Sequence, residues 1–203
     1  HFLPIEDQES AKELAIRCKE AGAFVSIAHP QWSGMSFNDA KTLAPHAHSV
    51  EIYNHGCAVD CDRPDGTYML DLLLSDGLKL NAIATDDAHF KTKDYFGGWV
   101  NVKAENNEPE SLLTALKKGY YYSSCGPEIE NIEVTKNSVE VACSKVSSIV
   151  ILGNGSASNV CHGKEITSAK ISLEPFFNSK WVRIVIIDKD QKRAWSNPIW
   201  LKE

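Results

Sequence analysis

A chain of 203 residues, 43% hydrophobic and 24% charged, has the length and composition of one generous or two small soluble domains with a real core. Its net charge of −6 weighs against a nucleic-acid duplex as partner, which needs a basic surface, but not against phosphorylated small molecules, since a bound metal brings its own positive charge. No apolar run approaches membrane-spanning length and the start does not read as a signal peptide, so no membrane contact is expected; Cys18, Cys57, Cys61, Cys125, Cys143 and Cys161 form no CxxC pair and read as reduced thiols of a cytoplasmic protein.

In chain order, residues 1–5 read as the tail of a strand. Ser10-Ala11-Lys12-Glu13 has the form of a capping box, with Leu14, Ala15 and Cys18 as the apolar face and Gly22 as the stop. A short apolar strand, 24–28, then runs into His29-Pro30. Residues 36–44 predict a helix closed by Pro45, 49–54 a strand, 55–66 a loop, and 68–75 a helix. The apolar run 78–84 ends on Thr85-Asp86-Asp87-Ala88-His89. A strand at 99–103 and a helix at 109–118, opened by Pro109 and ended by Gly119, complete the first part. This alternation predicts an α/β fold with a parallel sheet covered by helices. From Pro127 onward only strand signals occur, at 129–135, 139–143, 148–152, 166–173, 181–187 and 193–201. They predict a small β-sandwich, with the domain boundary near residue 125, giving 1–125 and 126–203.

Two of the strands stop on residues that carry chemistry. The carboxyl ends of parallel strands are where α/β folds place their sites. His29 follows one strand; Asp87 and His89, two apart and so on one side of an extended backbone, follow another. A histidine from one strand end and Asp-x-His from a second suit a divalent metal. The plain alternatives are a half-buried histidine tied to a carbonyl, and an Asx-turn beside a surface histidine. Asn54, at the carboxyl end of its strand, is expected to hydrogen-bond into the site, whereas alternation turns Glu51 to the other face. His55 and Arg63 are the candidates for substrate contact, and Asp86 for a loop cap. His46-Ala47-His48 precedes its strand, so it belongs to the opposite end of the sheet and is expected to ligate nothing. Trp99, Tyr120 and Tyr121 are expected to pack between the two parts, and Trp195 and Trp200 to fill the sandwich.

Ala28-His29-Pro30, Val50-Glu51-Ile52-Tyr53-Asn54, Ala84-Thr85-Asp86-Asp87-Ala88-His89, Gly97-Gly98-Trp99, Tyr122-Ser123-Ser124-Cys125-Gly126-Pro127 and Ala194-Trp195-Ser196-Asn197-Pro198-Ile199 occur in that order. Together they resemble the PHP (polymerase and histidinol phosphatase) superfamily, in its CehA/McbA-like metallohydrolase branch, over nearly the whole chain. The resemblance implies a distorted (β/α)7 barrel holding up to three divalent ions (Zn, Mn or Fe), followed by a small β-domain. It implies that His29, Asp87 and His89 each bind one of these ions, that Asp87 and His89 stand at the catalytic centre, and that His1 is a further ligand. It also implies that a water activated by the ions attacks phosphorus or a carbonyl. The family's Asp-x-His-x-His, Thr-Asp-His and bridging glutamate have no counterpart here. The chain is therefore expected to be a partial barrel lacking its first strands, a fragment with little activity of its own. The activity expected of the parent protein is a phosphoesterase acting on small phosphorylated metabolites or short nucleotides. The alternatives are an ester, amide or carbamate hydrolase, and a non-catalytic scaffold whose sandwich binds a partner or glycan.

Overall fold

The computed structural model describes residues 8–201, which form a mixed α/β fold with two sheets. Helix α1 (Ala11–Glu20) starts as its capping box requires: Ser10 Oγ accepts from the Glu13 N–H, and the Glu13 carboxylate accepts from the Ser10 N–H at 2.8 Å. Strands β1 (Ser26–Ile27), β2 (Ser49–Asn54) and β3 (Asn81–Thr85) pair in parallel in that order. Parallel strands need long crossovers, and helices α2 (Phe37–Leu43) and α4 (Thr67–Ser75) supply them. Leu70, Leu73 and Leu74 of α4 pack with Ala40 of α2 on Val50, Ile52 and Ala82 of the sheet. No helix among the described residues is long and apolar enough to cross a membrane.

Residues 55–66 were expected to form a loop, yet they contain helix α3 (His55–Cys61). Asn54 caps it, its Oδ1 accepting from the Cys57 N–H at 2.7 Å, and Asp62 ends it in the left-handed region at φ +57°. Gly56 near its start and Asp62-Arg63-Pro64-Asp65-Gly66 just after it have the look of a loop, which hid the short helix.

A second departure concerns strands β4 (Trp99–Val102) and β5 (Tyr121–Ser124), which are antiparallel, with Trp99 opposite Ser124. Helix α5 (Pro109–Lys118) lies between them without crossing the sheet. Gly119, at φ +73°, ends the helix and turns the chain straight back beside β4, in a place where a Cβ would stand 2.8 Å from the Asn81 amide.

From β5 the sheet continues through the last third of the chain. Strands β6 (Ile129–Val134), β7 (Ser138–Gly153), β8 (Ser158–Ser172), β9 (Trp181–Ile187), β10 (Arg193–Trp195) and β11 (Ile199–Trp200) join β4 and β5 in one eight-stranded sheet. Pairing passes residue 125 unbroken, because β10 lies between β5 and β9. One curled sheet thus replaces the two facing sheets of the expected sandwich. Residues 144–147 separate two expected strands, 139–143 and 148–152, but β7 runs through them with register shifts between Ala142 and Ser148. Bulges add bend and twist to a strand. Here they keep Val139, Val141 and Cys143 before the shift, and Ile149 and Ile151 after it, on the same core.

The free edge of β3 is closed by side chains. Ser123 Oγ accepts from the Ala84 N–H at 2.9 Å and donates to the Ala82 carbonyl at 3.1 Å. Asn197 Oδ1 accepts from the Ala82 N–H, while its Nδ2 donates to the carbonyls of Gly119 and Tyr121, all at 2.9 Å. Ser123 is fully buried, so Ser123→Ala strands two backbone groups away from water. The expected cost is about 2 kcal/mol, read as a fall of about 5 °C in the melting midpoint by circular dichroism.

Candidate functional site

The carboxyl ends of β1 and β3 and the start of α3 surround a cavity of about 280 Å³, lined by His29, Asp87 and His89 together with Trp32, Cys57 and Cys61. The three side chains picked out as ligands therefore share one cavity. They do not close on a single point: among the described residues, no group of three or more His, Cys, Asp or Glu side chains stands close enough to hold a metal ion. His29 and Asp87 sit at φ +29° and +50°, in the left-handed region that a Cβ makes costly. Such backbone persists only where the surroundings hold it in place.

What holds it is a buried layer beneath the cavity. Asn54 Nδ2 donates to Asp87 Oδ2 and to Glu51 Oε2, each at 3.1 Å. Glu51 Oε2 also accepts from the His29 N–H at 2.5 Å, and the Thr85 hydroxyl donates to Glu51 Oε1. Glu51 was expected on the face opposite Asn54. The β2–β3 ladder slips between Glu51 and Tyr53, so one extra residue falls between Glu51 and Asn54 and both side chains turn to the site. Glu51 is the site residue that strict alternation misses. A carboxylate inside the otherwise apolar run of β2 was its only sequence signal.

The loop after β3 is staked by two more carboxylates. Asp86 accepts from the N–H groups of Phe96 (2.6 Å), Gly97 and Gly98 (both 2.8 Å), so it serves as the expected loop cap. Burial raises its pKa, but these donors and the nearby His55 outweigh burial and hold the carboxyl below its ordinary value. Asp94 accepts from the N–H groups of His89 at 2.7 Å and Phe90 at 3.2 Å, and the first of these does most to depress its pKa. Between the stakes, Phe90 and Phe96 are 77% and 88% exposed, with Tyr95 stacked on Phe90. On the other lip, Trp32 meets the His29 ring edge-on at 4.8 Å.

The remaining candidates lie elsewhere. The His55 ring packs on Gly97, and its Nδ1 is 3.2 Å from the Tyr53 hydroxyl; it is not among the cavity-lining residues, nor is the exposed Arg63. His1 lies outside the described residues. Burial, followed by the charge of Cys61, pushes the Cys57 thiol up to about 11, so it is no nucleophile at neutral pH. Tyr121 is buried as expected, but Tyr120 is exposed, and Trp195 packs on Tyr53 between the sheets.

His46 and His48 lie before β2, at its amino end, away from the cavity. His48 Nδ1 accepts from the Val25 N–H at 3.0 Å and its ring stacks on Phe24. Burial, then Lys19 and Lys117, hold its pKa below the ordinary histidine value of 6.5. A base with a depressed folded pKa stabilises the fold above its unfolded pKa, and that contribution is lost as pH falls towards the folded value. The urea midpoint is therefore expected to fall between about pH 7 and pH 5, and to fall less in His48→Gln.

Imidazole and carboxylate are donors that divalent cations accept. His29 Nδ1 is buried and has no hydrogen-bond partner among the described residues, which marks an unmet need for one. In kind these residues fit a divalent cation; in number they need further donors. Comparison with protein-family models, with curated proteins and with solved structures gives no match.

Proposed function

We propose that this chain carries part of the centre of a PHP-type metal-dependent hydrolase, a phosphoesterase of small phosphorylated metabolites or short nucleotides, on a partial distorted (β/α)7 barrel backed by a β-domain. One observation supports this above the others: His29, which follows β1, and Asp87 and His89, which follow β3, line one cavity at the carboxyl ends of parallel strands. His29, Asp87 and His89 would each hold a divalent ion there. A bound divalent ion supplies an acidified water and stabilises charge that develops on the substrate oxygens. Asn54 orients the Asp87 carboxylate through the bond to its Oδ2. Trp32 walls the cavity beside His29 and keeps water from that side of the ring.

The spacing of the three ligands favours a second reading, a non-catalytic scaffold that has kept the cavity. Elemental analysis after incubation with Mn, Zn or Fe, followed by assays on bis(p-nitrophenyl) phosphate and p-nitrophenyl acetate, separates the readings. Retained metal with weak, metal-dependent release from the phosphodiester is the expected result. Release from the acetate alone would move the activity to carbon electrophiles. Neither retained metal nor turnover would leave the scaffold.

A further inference from the structure

We infer that Phe90, Tyr95 and Phe96, with Lys91 and Lys93 between them, form a binding site for the base and phosphate of a nucleotide on the rim of the cavity. The inference deepens the hydrolase reading and rests on it for what the cavity does with the phosphate; the binding itself requires no metal ion.

Phe90 and Phe96 both sit at φ +57°, a conformation that is costly for a bulky side chain and persists only where the surroundings enforce it. A carboxylate enforces each. The Phe90 N–H donates to Asp94, which is 1% exposed, and the Phe96 N–H donates to Asp86. This backbone serves no core, since both phenylalanines project into solvent. Tyr95 stacks on Phe90 at 5.9 Å and meets Phe96 edge-on at 5.6 Å, so the three rings make one joint face. Two links set that face beside the cavity: Phe90 directly follows His89, and the Thr92 hydroxyl donates to the Asp60 carboxylate at 3.2 Å. His89 and Asp60 both line the cavity.

Size and charge indicate the occupant. The exposed parts of the three rings amount to roughly 400 Å². That is about half of what each partner gives to a stable protein interface, which disfavours a second copy of the chain and suits a small planar ligand. Lys91 and Lys93 are exposed and form no ion pair among the described residues, so they are free to take an anion. A flat heterocycle that carries a phosphate answers both features, because bases stack on aromatic side chains while cationic ones take the phosphates. An anionic bilayer also accepts rings and lysines, but the net charge of −6 opposes its approach, and rings packed on one another are poor separate anchors.

Binding of adenosine 5′-monophosphate to the metal-free protein, followed by the backbone amide shifts of residues 89–98, tests the inference. Ribose 5-phosphate, which keeps the sugar and phosphate and lacks the base, is the reference ligand. Saturable binding of the nucleotide, at least about tenfold tighter than that of ribose 5-phosphate, is expected. Phe90→Ala and Phe96→Ala should each weaken the nucleotide by about 5- to 100-fold and leave ribose 5-phosphate unchanged. Lys91→Gln combined with Lys93→Gln should weaken both ligands. All four side chains are exposed, so the melting midpoint should stay at the wild-type value. No saturable nucleotide binding, equal affinity for the two ligands, or unchanged nucleotide affinity in both phenylalanine variants would overturn the inference. So would binding to vesicles of phosphatidylglycerol and phosphatidylcholine that those variants lose, with no nucleotide bound. Release from bis(p-nitrophenyl) phosphate without base-dependent binding would overturn the inference and leave the hydrolase standing. Base-dependent binding without metal-dependent release would support the site and remove the hydrolase.

Discussion

Alanine in place of His29 or Asp87 is expected to lower bound metal and, with it, the metal-dependent hydrolysis of the chain, to the level of the metal-free control. The two residues reach the cavity from different strands, so a parallel loss in both variants is hard to explain by local disturbance of either strand alone. His29→Ala also removes a buried ring nitrogen that has no partner among the described residues, so the metal-free fold should tolerate it well. His46→Ala, at the other end of β2, is expected to leave metal content and turnover unchanged. Metal loss in that variant would reverse the orientation assigned to the sheet.

The largest effect on stability is expected at Asp71. Arg183 of β9 donates Nε–H and Nη2–H to its two carboxylate oxygens, both at 2.7 Å, and this pair bolts α4 to the curled sheet. The Arg183 side chain is only 5% exposed, while Asp71 is 31% exposed. Asp71→Ala leaves a guanidinium enclosed without its counter-charge, which costs about 3 kcal/mol once the partial exposure of Asp71 is allowed for. A fall of about 10 °C in the melting midpoint follows for a chain of this size. Asp71→Leu combined with Arg183→Met should recover most of it, because the cost lies in an uncompensated charge and not in a missing attraction. The exposed pairs Lys145–Glu165 and Lys189–Asp190 are expected to shift nothing measurable.

What could be read from the sequence was what depends on neighbours along the chain. The capping box at Ser10 and the Pro109-to-Gly119 helix follow from local hydrogen bonding and backbone freedom, and they appear where expected. The sharing of one cavity by His29, Asp87 and His89 followed from two strands running the same way. What escaped depends on pairing. The slip between Glu51 and Tyr53 is a property of the β2–β3 ladder, and it reversed the facing of Glu51. The continuity of β7 through residues 144–147 is likewise decided by the strands paired with it. His55 was placed on substrate by position alone, but its ring lies in the space that Gly97, distant in sequence, leaves open, and it does not line the cavity. Asn54, expected only to face the site, also caps helix α3, which the loop-like residues around it concealed.

Anomalous scattering from a crystal soaked in Mn2+ tests the central claim most directly. The expected result is anomalous density in the cavity between β1 and β3, with His29, Asp87 and His89 each turned inward to about 2.0–2.2 Å from a Mn2+ position. A peak elsewhere, or a soaked crystal in which those three side chains keep their present separation, would contradict it.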